Sequence, residues 1–165
     1  MPRIEEKGGT YFINFSLLRD SDVLSETERE TVLKIIKEGD GQRYLLYGVV
    51  VMPTHVHLVL QALSDGEPVP LPKITHHIKG FSAKKVNELR ATKGALWRPR
   101  SHNRLIVSER ELRQKLNYIF EHPRRAGLVK DPNEYPHLWY PGKNEIKNQE
   151  PGWRPRRTHL GFNGG

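Results

Sequence analysis

Two β-branched runs, RYLLYGVVV (Arg43 to Val51) and HVHLVLQAL (His55 to Leu63), are separated only by Met52-Pro53-Thr54. So short a link between two strand-like runs reads as a hairpin, and hence as the centre of an antiparallel sheet. The second run carries an anomaly. His55 and His57 stand one residue apart inside an otherwise apolar strand. Residues two apart in a strand point the same way, so His55, His57, Val59 and Gln61 share one face. Val56, Leu58 and Leu60 share the other and are expected to make the core. The two imidazoles project in parallel from neighbouring pleats, ~6–7 Å apart at Cα, and can converge on one cation. On the residues alone, the pair suits a metal site that still lacks a third ligand, and it equally suits two hydrogen-bonded core histidines.

The remaining elements follow from period and punctuation. TYFINFSLL (Thr10 to Leu18) alternates in part and is rich in aromatics, which predicts a strand. Ser25 with Glu28 three residues on is a capping-box pattern, and Val32, Leu33, Ile35 and Ile36 predict a helix stopping near Gly39 or Gly41. GEPVPLP reads as a proline-rich link. A second helix is predicted from Lys73 to about Arg90, with Ile74, Ile78, Phe81, Val86 and Leu89 at helical spacing. GALWRPRSHNRLIV reads as an irregular strand pair or a strand with a loop. Ser108 and Glu111 form another capping-box pattern that opens a helix, which Pro123 is expected to end. The order β-α-β-β-α-β-α predicts an α+β domain: one antiparallel sheet of the ferredoxin-like split-βαβ type with helices packed on it. A chain of 165 residues has little room for a second core. The expected division is a domain over residues 1–130 and a Pro/Gly/Arg-rich C-terminal tail over 131–165 that wraps or stays mobile.

Charge narrows the partners. The net charge is +8, which favours a polyanion, nucleic acid before a membrane surface. The excess is concentrated: Lys73, Lys79, Lys84, Lys85, Arg90, Lys93, Arg98, Arg100 and Arg104 stand against the single acid Glu88. Such a segment reads as a phosphate-binding face, with Trp97 and His102 available for base stacking; the competing reading is a solvated lysine face. With no cysteine, disulfides and thiolate metal sites are excluded. No apolar run reaches the ~20 residues of a membrane span, and MPRIEEKGG lacks a signal-peptide apolar region, so a soluble, cytoplasmic protein with no membrane partner is expected.

The helix QKLNYIFEH supplies what the histidine pair lacks. Leu112, Leu116, Ile119 and Phe120 form its apolar stripe, and Tyr118 lies roughly 145° from the centre of that stripe. His122 is one turn further along the same side. Alone, this is an exposed tyrosine with a histidine placed to meet the helix dipole. Its weight comes from His55 and His57.

MPTHVHLVL followed by LNYIFEHPRRAGLV resembles the single-tyrosine HUH transposases, above all the REP-associated tyrosine transposases. His55-Val56-His57 is the His-hydrophobe-His motif. Tyr118, Ile119, Pro123, Arg125, Ala126, Gly127, Leu128 and Val129 match, in order, the second motif, whose usual form is close to YIHxNPVRAGLV. GALWRPRSHNRLI and DPNEYPHLWY resemble further blocks of the family, so the likeness runs from about Thr10 to Tyr140.

The resemblance implies that residues 1–130 form an HUH transposase domain that cuts single-stranded DNA at or near a hairpin. Tyr118 would be the nucleophile, leaving a 5′-phosphotyrosine link and a free 3′-OH. His55 and His57 would hold Mg²⁺ or Mn²⁺. His122 stands where the family often has Asn or Gln as third ligand, and an all-imidazole set lets Mn²⁺ or Zn²⁺ compete better against Mg²⁺. Lys73, Lys79, Lys84, Lys85, Arg98, Arg100, Arg104, Arg124 and Arg125 are the expected contacts to hairpin phosphates, while RPRR (Arg154 to Arg157) reads as a solvated end. The implied partner is single-stranded DNA with REP-like palindromes, bound by a monomer or a homodimer. The rival readings are a non-catalytic hairpin DNA- or RNA-binding module of the same fold and a metal-dependent phosphodiesterase that uses water.

Overall fold

The computed structural model describes residues 8–65 and 67–143. Its elements are β1 (Thr10–Ser16), α1 (Glu26–Glu38), β2 (Tyr44–Val51), β3 (His55–Ala62), a two-stranded ribbon of β4 (Ser64–Asp65) and β5 (Glu67–Pro68), α2 (Leu71–Arg90), β6 (His102–Leu105), α3 (Glu109–Arg125), a 3₁₀ turn (Pro132–Glu134) and β7 (Leu138–Trp139). The main sheet runs β6-β1-β3-β2-β7, and every neighbouring pair is antiparallel. β3 lies between β1 and β2, and β1 lies between β3 and β6, so both βαβ units are split. This is the ferredoxin-like arrangement expected from the element order, with β7 added beside β2.

The alternation of β3 is used on both faces. Val56, Leu58 and Leu60 pack with Val32, Leu33 and Ile36 of α1 and with Ile74, Ile78 and Val86 of α2. The face that carries the histidines is covered as well. Phe12, Tyr47, Val50 and Val59 meet Leu112, Leu116, Ile119 and Phe120 of α3, together with Tyr135, Leu138 and Tyr140. The histidines therefore stand at the end of a second core. A bulge in β2 between Leu46 and Gly48 turns both Tyr47 and Gly48 toward α3. A Cβ on Gly48 would lie 3.1 Å from Leu116 Cδ2, so glycine lets the helix settle on the sheet.

Residues expected in the tail contribute to this layer. β7 pairs with β2, His137 O accepts from Val51 N at 2.8 Å, and Tyr135 Oη donates to Val51 O at 2.7 Å. Residues 144–165, including Arg154 to Arg157, lie outside those described.

Several local expectations need correction. Pro123 does not end α3, which runs two residues further, and the proline is buried. Its missing N–H falls in the last turn, where only one intrahelical bond is forgone. At the start of α3 only half of the capping box forms. Ser108 Oγ accepts from Glu111 N at 3.1 Å, but the Glu111 carboxylate turns to Arg104 Nε at 2.6 Å. Trp97 is 5% exposed, so it is a core residue and not a stacking platform. Its Nε1 donates to Ser82 Oγ at 3.0 Å, and its ring meets Phe15 edge-on.

In α1 the capping box is complete: Ser25 Oγ accepts from Glu28 N, and Glu28 Oε1 accepts from Ser25 N. Glu28 also joins the two helices. Arg90, at the end of α2, donates Nε to Glu28 Oε2 at 2.8 Å and Nη2 to Glu28 Oε1 at 3.0 Å, while Nη1 reaches Asp22 Oδ2 at 2.9 Å. Hydrogen bonding from Arg90 leads in holding the Glu28 carboxyl below its usual pKa, against the opposing effect of burial. A depressed carboxyl contributes stability that is complete above its unfolded pKa and is lost as pH falls through the folded value. Arg90→Ala should therefore cost about 2 kcal/mol at pH 7, the lower end for a pair that is only partly buried. In urea unfolding at successive pH values, the gap from wild type should close as Glu28 becomes protonated.

Candidate active site

The β2–β3 turn is pinned before it presents a side chain. Thr54 O accepts from Leu17 N at 2.9 Å, Pro53 O accepts from Leu24 N at 2.7 Å, and Met52 N donates to His55 O at 2.8 Å. β3 then places His55 and His57 on its α3-facing side, where His57 pairs in register with Asn14 of β1 and Val50 of β2. α3 crosses above them, held by its apolar stripe, and brings His122 into the same space.

The three imidazoles converge. His55 Nε2 and His122 Nε2 are 3.0 Å apart, and ring centroids are separated by 4.9 Å (His55–His57), 5.2 Å (His55–His122) and 4.7 Å (His57–His122). One nitrogen from each lies within 4.8 Å of the other two, so the set can hold a metal ion. Burial, followed by the neighbouring His122 and His55, pushes His57 down to about 3. His55 is lowered by burial and then by His122; His122 is lowered by burial and then by Arg125. Neutral imidazole is the ligating form.

The hydrogen bonds also suit a cation. Thr54 Oγ1 lies 2.9 Å from His55 Nδ1 and can fix the tautomer that leaves Nε2 its lone pair. His57 Nδ1 is buried with no hydrogen-bond partner among the described residues, an uncompensated polar atom.

Tyr118 stands beside the triad. Its ring centroid is 5.3 Å from that of His57 and 5.1 Å from that of His122, and the residue keeps 38% exposure. Phe12 supports it from below. That ring stacks on His57 at 5.8 Å, takes Tyr118 edge-on at 5.9 Å, and carries the Lys115 ammonium 5.0 Å from its centroid. Phe12 and Lys115 were not singled out from the sequence. The signal was there, since Phe12 alternates onto the histidine face of β1 and Lys115 lies one turn before Tyr118.

The basic residues divide differently from the expectation of one continuous face. Lys73, Lys79, Lys84 and Lys85 belong to α2, on the opposite side of the sheet from the triad. The Lys79 ammonium donates to Arg98 O (2.7 Å), Pro99 O (3.2 Å) and Ser101 Oγ (3.1 Å), so it shapes the loop before β6. Arg98 pairs with Asp20, Arg104 with Glu111, Arg124 with Glu121 and Lys85 with Glu88. Lys73, Lys84, Arg100 and Arg125 have no acidic partner among the described residues. Exposed His102, in register with Asn14, lies on the triad's face of the sheet.

Titration with Mn²⁺ followed by calorimetry tests the centre. His57→Ala should abolish measurable binding. Thr54→Ala, which frees the His55 ring, should weaken it by about tenfold or more. Equal affinities for wild type and both variants would place the ion elsewhere.

No family model and no curated protein matches the sequence. Solved structures do match. The structure of a REP-associated tyrosine transposase bound to a REP hairpin superimposes with a TM-score of 0.69 at 22% identity, covering 98% of this chain and 94% of that one. A protein of Deinococcus radiodurans R1 assigned as a transposase, solved at 1.90 Å, matches with a TM-score of 0.51 at 25% identity, over 72% of this chain and 94% of that one. Strand order, the helix laid across the histidine face and the two superpositions lead to one conclusion: this chain has the fold of the REP-associated tyrosine transposases.

Proposed function

We propose that the protein is a metal-dependent endonuclease and strand transferase of single-stranded DNA hairpins, with Tyr118 as its nucleophile. The observation that carries this reading is the placement of an accessible tyrosine against two of three clustered neutral imidazoles. The shared fold with a transposase bound to a REP hairpin supports the choice of substrate.

His55, His57 and His122 would hold the ion, Mg²⁺ or Mn²⁺. The chemistry supplied by that ion is Lewis-acid polarisation of the scissile phosphate, which offsets charge developing on its oxygens. A phenol is a weak nucleophile at neutral pH, its pKa being about 10, so alignment matters. Phe12 and His57 both meet the Tyr118 ring edge-on and fix its direction. Tyr118 Oη forms the new bond to phosphorus and gives up its proton. The bond from phosphorus to the 3′-oxygen breaks, and that oxygen keeps the electron pair and takes up a proton. The product is a 5′-phosphotyrosine link and a free 3′-OH. Because the link retains the phosphodiester's energy, a second 3′-OH can reverse the step on another strand without ATP.

Arg100 and Arg125, which have no acidic partner among the described residues, are the first candidates for DNA phosphates. Lys73 and Lys84 would meet DNA only where it passes round to the α2 side. Arg98, Arg104, Arg124 and Lys85 would have to exchange a carboxylate for a phosphate, and Lys79 would act through the loop it holds. The protein acts on this account as a monomer or a homodimer. No helix among the described residues is long and apolar enough to cross a membrane.

The test is a denaturing gel of end-labelled single-stranded hairpin DNA, with varied flanks, incubated with protein and Mn²⁺ or Mg²⁺. A metal-dependent adduct that resists denaturation should form. Tyr118→Phe should eliminate it, and His57→Ala should reduce its rate by about 10²–10³-fold. Cleavage without an adduct would favour a water-using phosphodiesterase. Binding with neither would leave a hairpin-binding module.

A further inference from the structure

The Lys115 ammonium is held against an aromatic ring. It lies over Phe12, 5.0 Å from the centroid of the ring that also stacks on His57 and stands at right angles to that of Tyr118. The candidate nucleophile, a candidate ligand and a cation thus share one aromatic ring. Lys115 is half-buried and has no carboxylate partner among the described residues. Its neighbours differ: Arg104 is paired with Glu111, Arg113 with Glu109 and Arg124 with Glu121. An imidazole carries no negative charge whether or not it is protonated, so the histidine cluster offers Lys115 no anion either.

Position on the helix gives the cation a direction. Lys115, Tyr118, His122 and Arg125 fall at i, i+3, i+7 and i+10, one line along α3 about 15 Å long. A positive charge stands at each end, with the tyrosine and a histidine between. Among the described residues neither Lys115 nor Arg125 has an acidic partner, and an anion arriving with the substrate would supply one. A non-bridging phosphate oxygen in front of Tyr118 would face the cation that the three imidazoles would hold on one side and the Lys115 ammonium on the other.

We propose that Lys115 is a further catalytic residue, whose ammonium binds a non-bridging oxygen of the phosphate that Tyr118 attacks. It holds that phosphate in line with the phenolic oxygen and takes up part of the charge that grows on it during displacement. This inference rests on the reading of Tyr118 as nucleophile, and its test separates the two.

Lys115→Met keeps the aliphatic stem over Phe12 and removes the charge; Lys115→Arg keeps the charge. Both are compared with the parent protein on the same end-labelled single-stranded hairpin DNA. The first readout needs no chemistry. In a Tyr118→Phe background, the slope of log affinity against log salt should fall by about 0.7 in Lys115→Met, the loss of one single-strand phosphate contact. The Arg variant should keep the parent slope. A packing role on Phe12 would leave the slope unmoved in both variants.

The second readout is the single-turnover rate of adduct formation at saturating protein. Lys115→Met should lower it by about 10²-fold, with Lys115→Arg recovering most of the loss. An unchanged salt slope overturns the proposal. So does a reduced slope with an unchanged adduct rate, since the cation would then touch a flanking phosphate. A reduced slope on DNA with which the parent forms no adduct would refute the nucleophile reading while supporting the phosphate contact.

Discussion

Everything at this site depends on α3 lying flat on the sheet. His55 and His57 come from a strand, whereas His122 and Tyr118 come from a helix far along the chain, and only packing brings them together. The packing is specific: Leu112, Leu116, Ile119 and Phe120 press onto Phe12, Tyr47, Val50 and Val59, with Gly48 clearing a place for Leu116. β7 and the aromatic residues Tyr135 and Tyr140 close the layer. Truncating a core leucine here costs about 2–5 kcal/mol in general, and in this molecule it would also displace His122 and Tyr118. Stability and chemistry are thus coupled through one helix.

Two periodicities make that coupling possible. Along β3 a repeat of two sends Val59 into the core and His57 to the edge of it. Along α3 a repeat of 3.6 sets the apolar stripe on one side and Tyr118 with His122 on another. Each side chain at the site is therefore oriented by a neighbour on the same element that is buried. Burial also sets the electrostatics: His57 is 8% exposed and accordingly neutral, ready to ligate without first losing a proton.

What could be read from the amino-acid order follows from locality. The hairpin, the capping box at Ser25, the stripe of α3 and the parallel projection of His55 and His57 depend on residues a few positions apart. Other positions are decided by residues distant in the chain. Trp97 looked like a surface aromatic in a basic segment, but Phe15 and Ser82 enclose it. Glu111 promised a capping box until Arg104 on β6 took its carboxylate. Lys79 counted as a free positive charge, yet carbonyls from the loop before β6 hold it. The segment around Tyr135 to Tyr140 has no period at all, because its order comes from pairing with β2. The basic run looked continuous along the chain, and the sheet divides it between two sides.

Two neighbouring pleats and one helix bring together three histidines that can hold a divalent cation beside Tyr118. Anomalous diffraction from a crystal of the full chain grown with Mn²⁺ tests it most directly. One strong peak is expected, bounded by the imidazoles of His55, His57 and His122, with Tyr118 beside it. A Mn²⁺-saturated crystal with no peak among these histidines, or with the peak held by other residues, would contradict it.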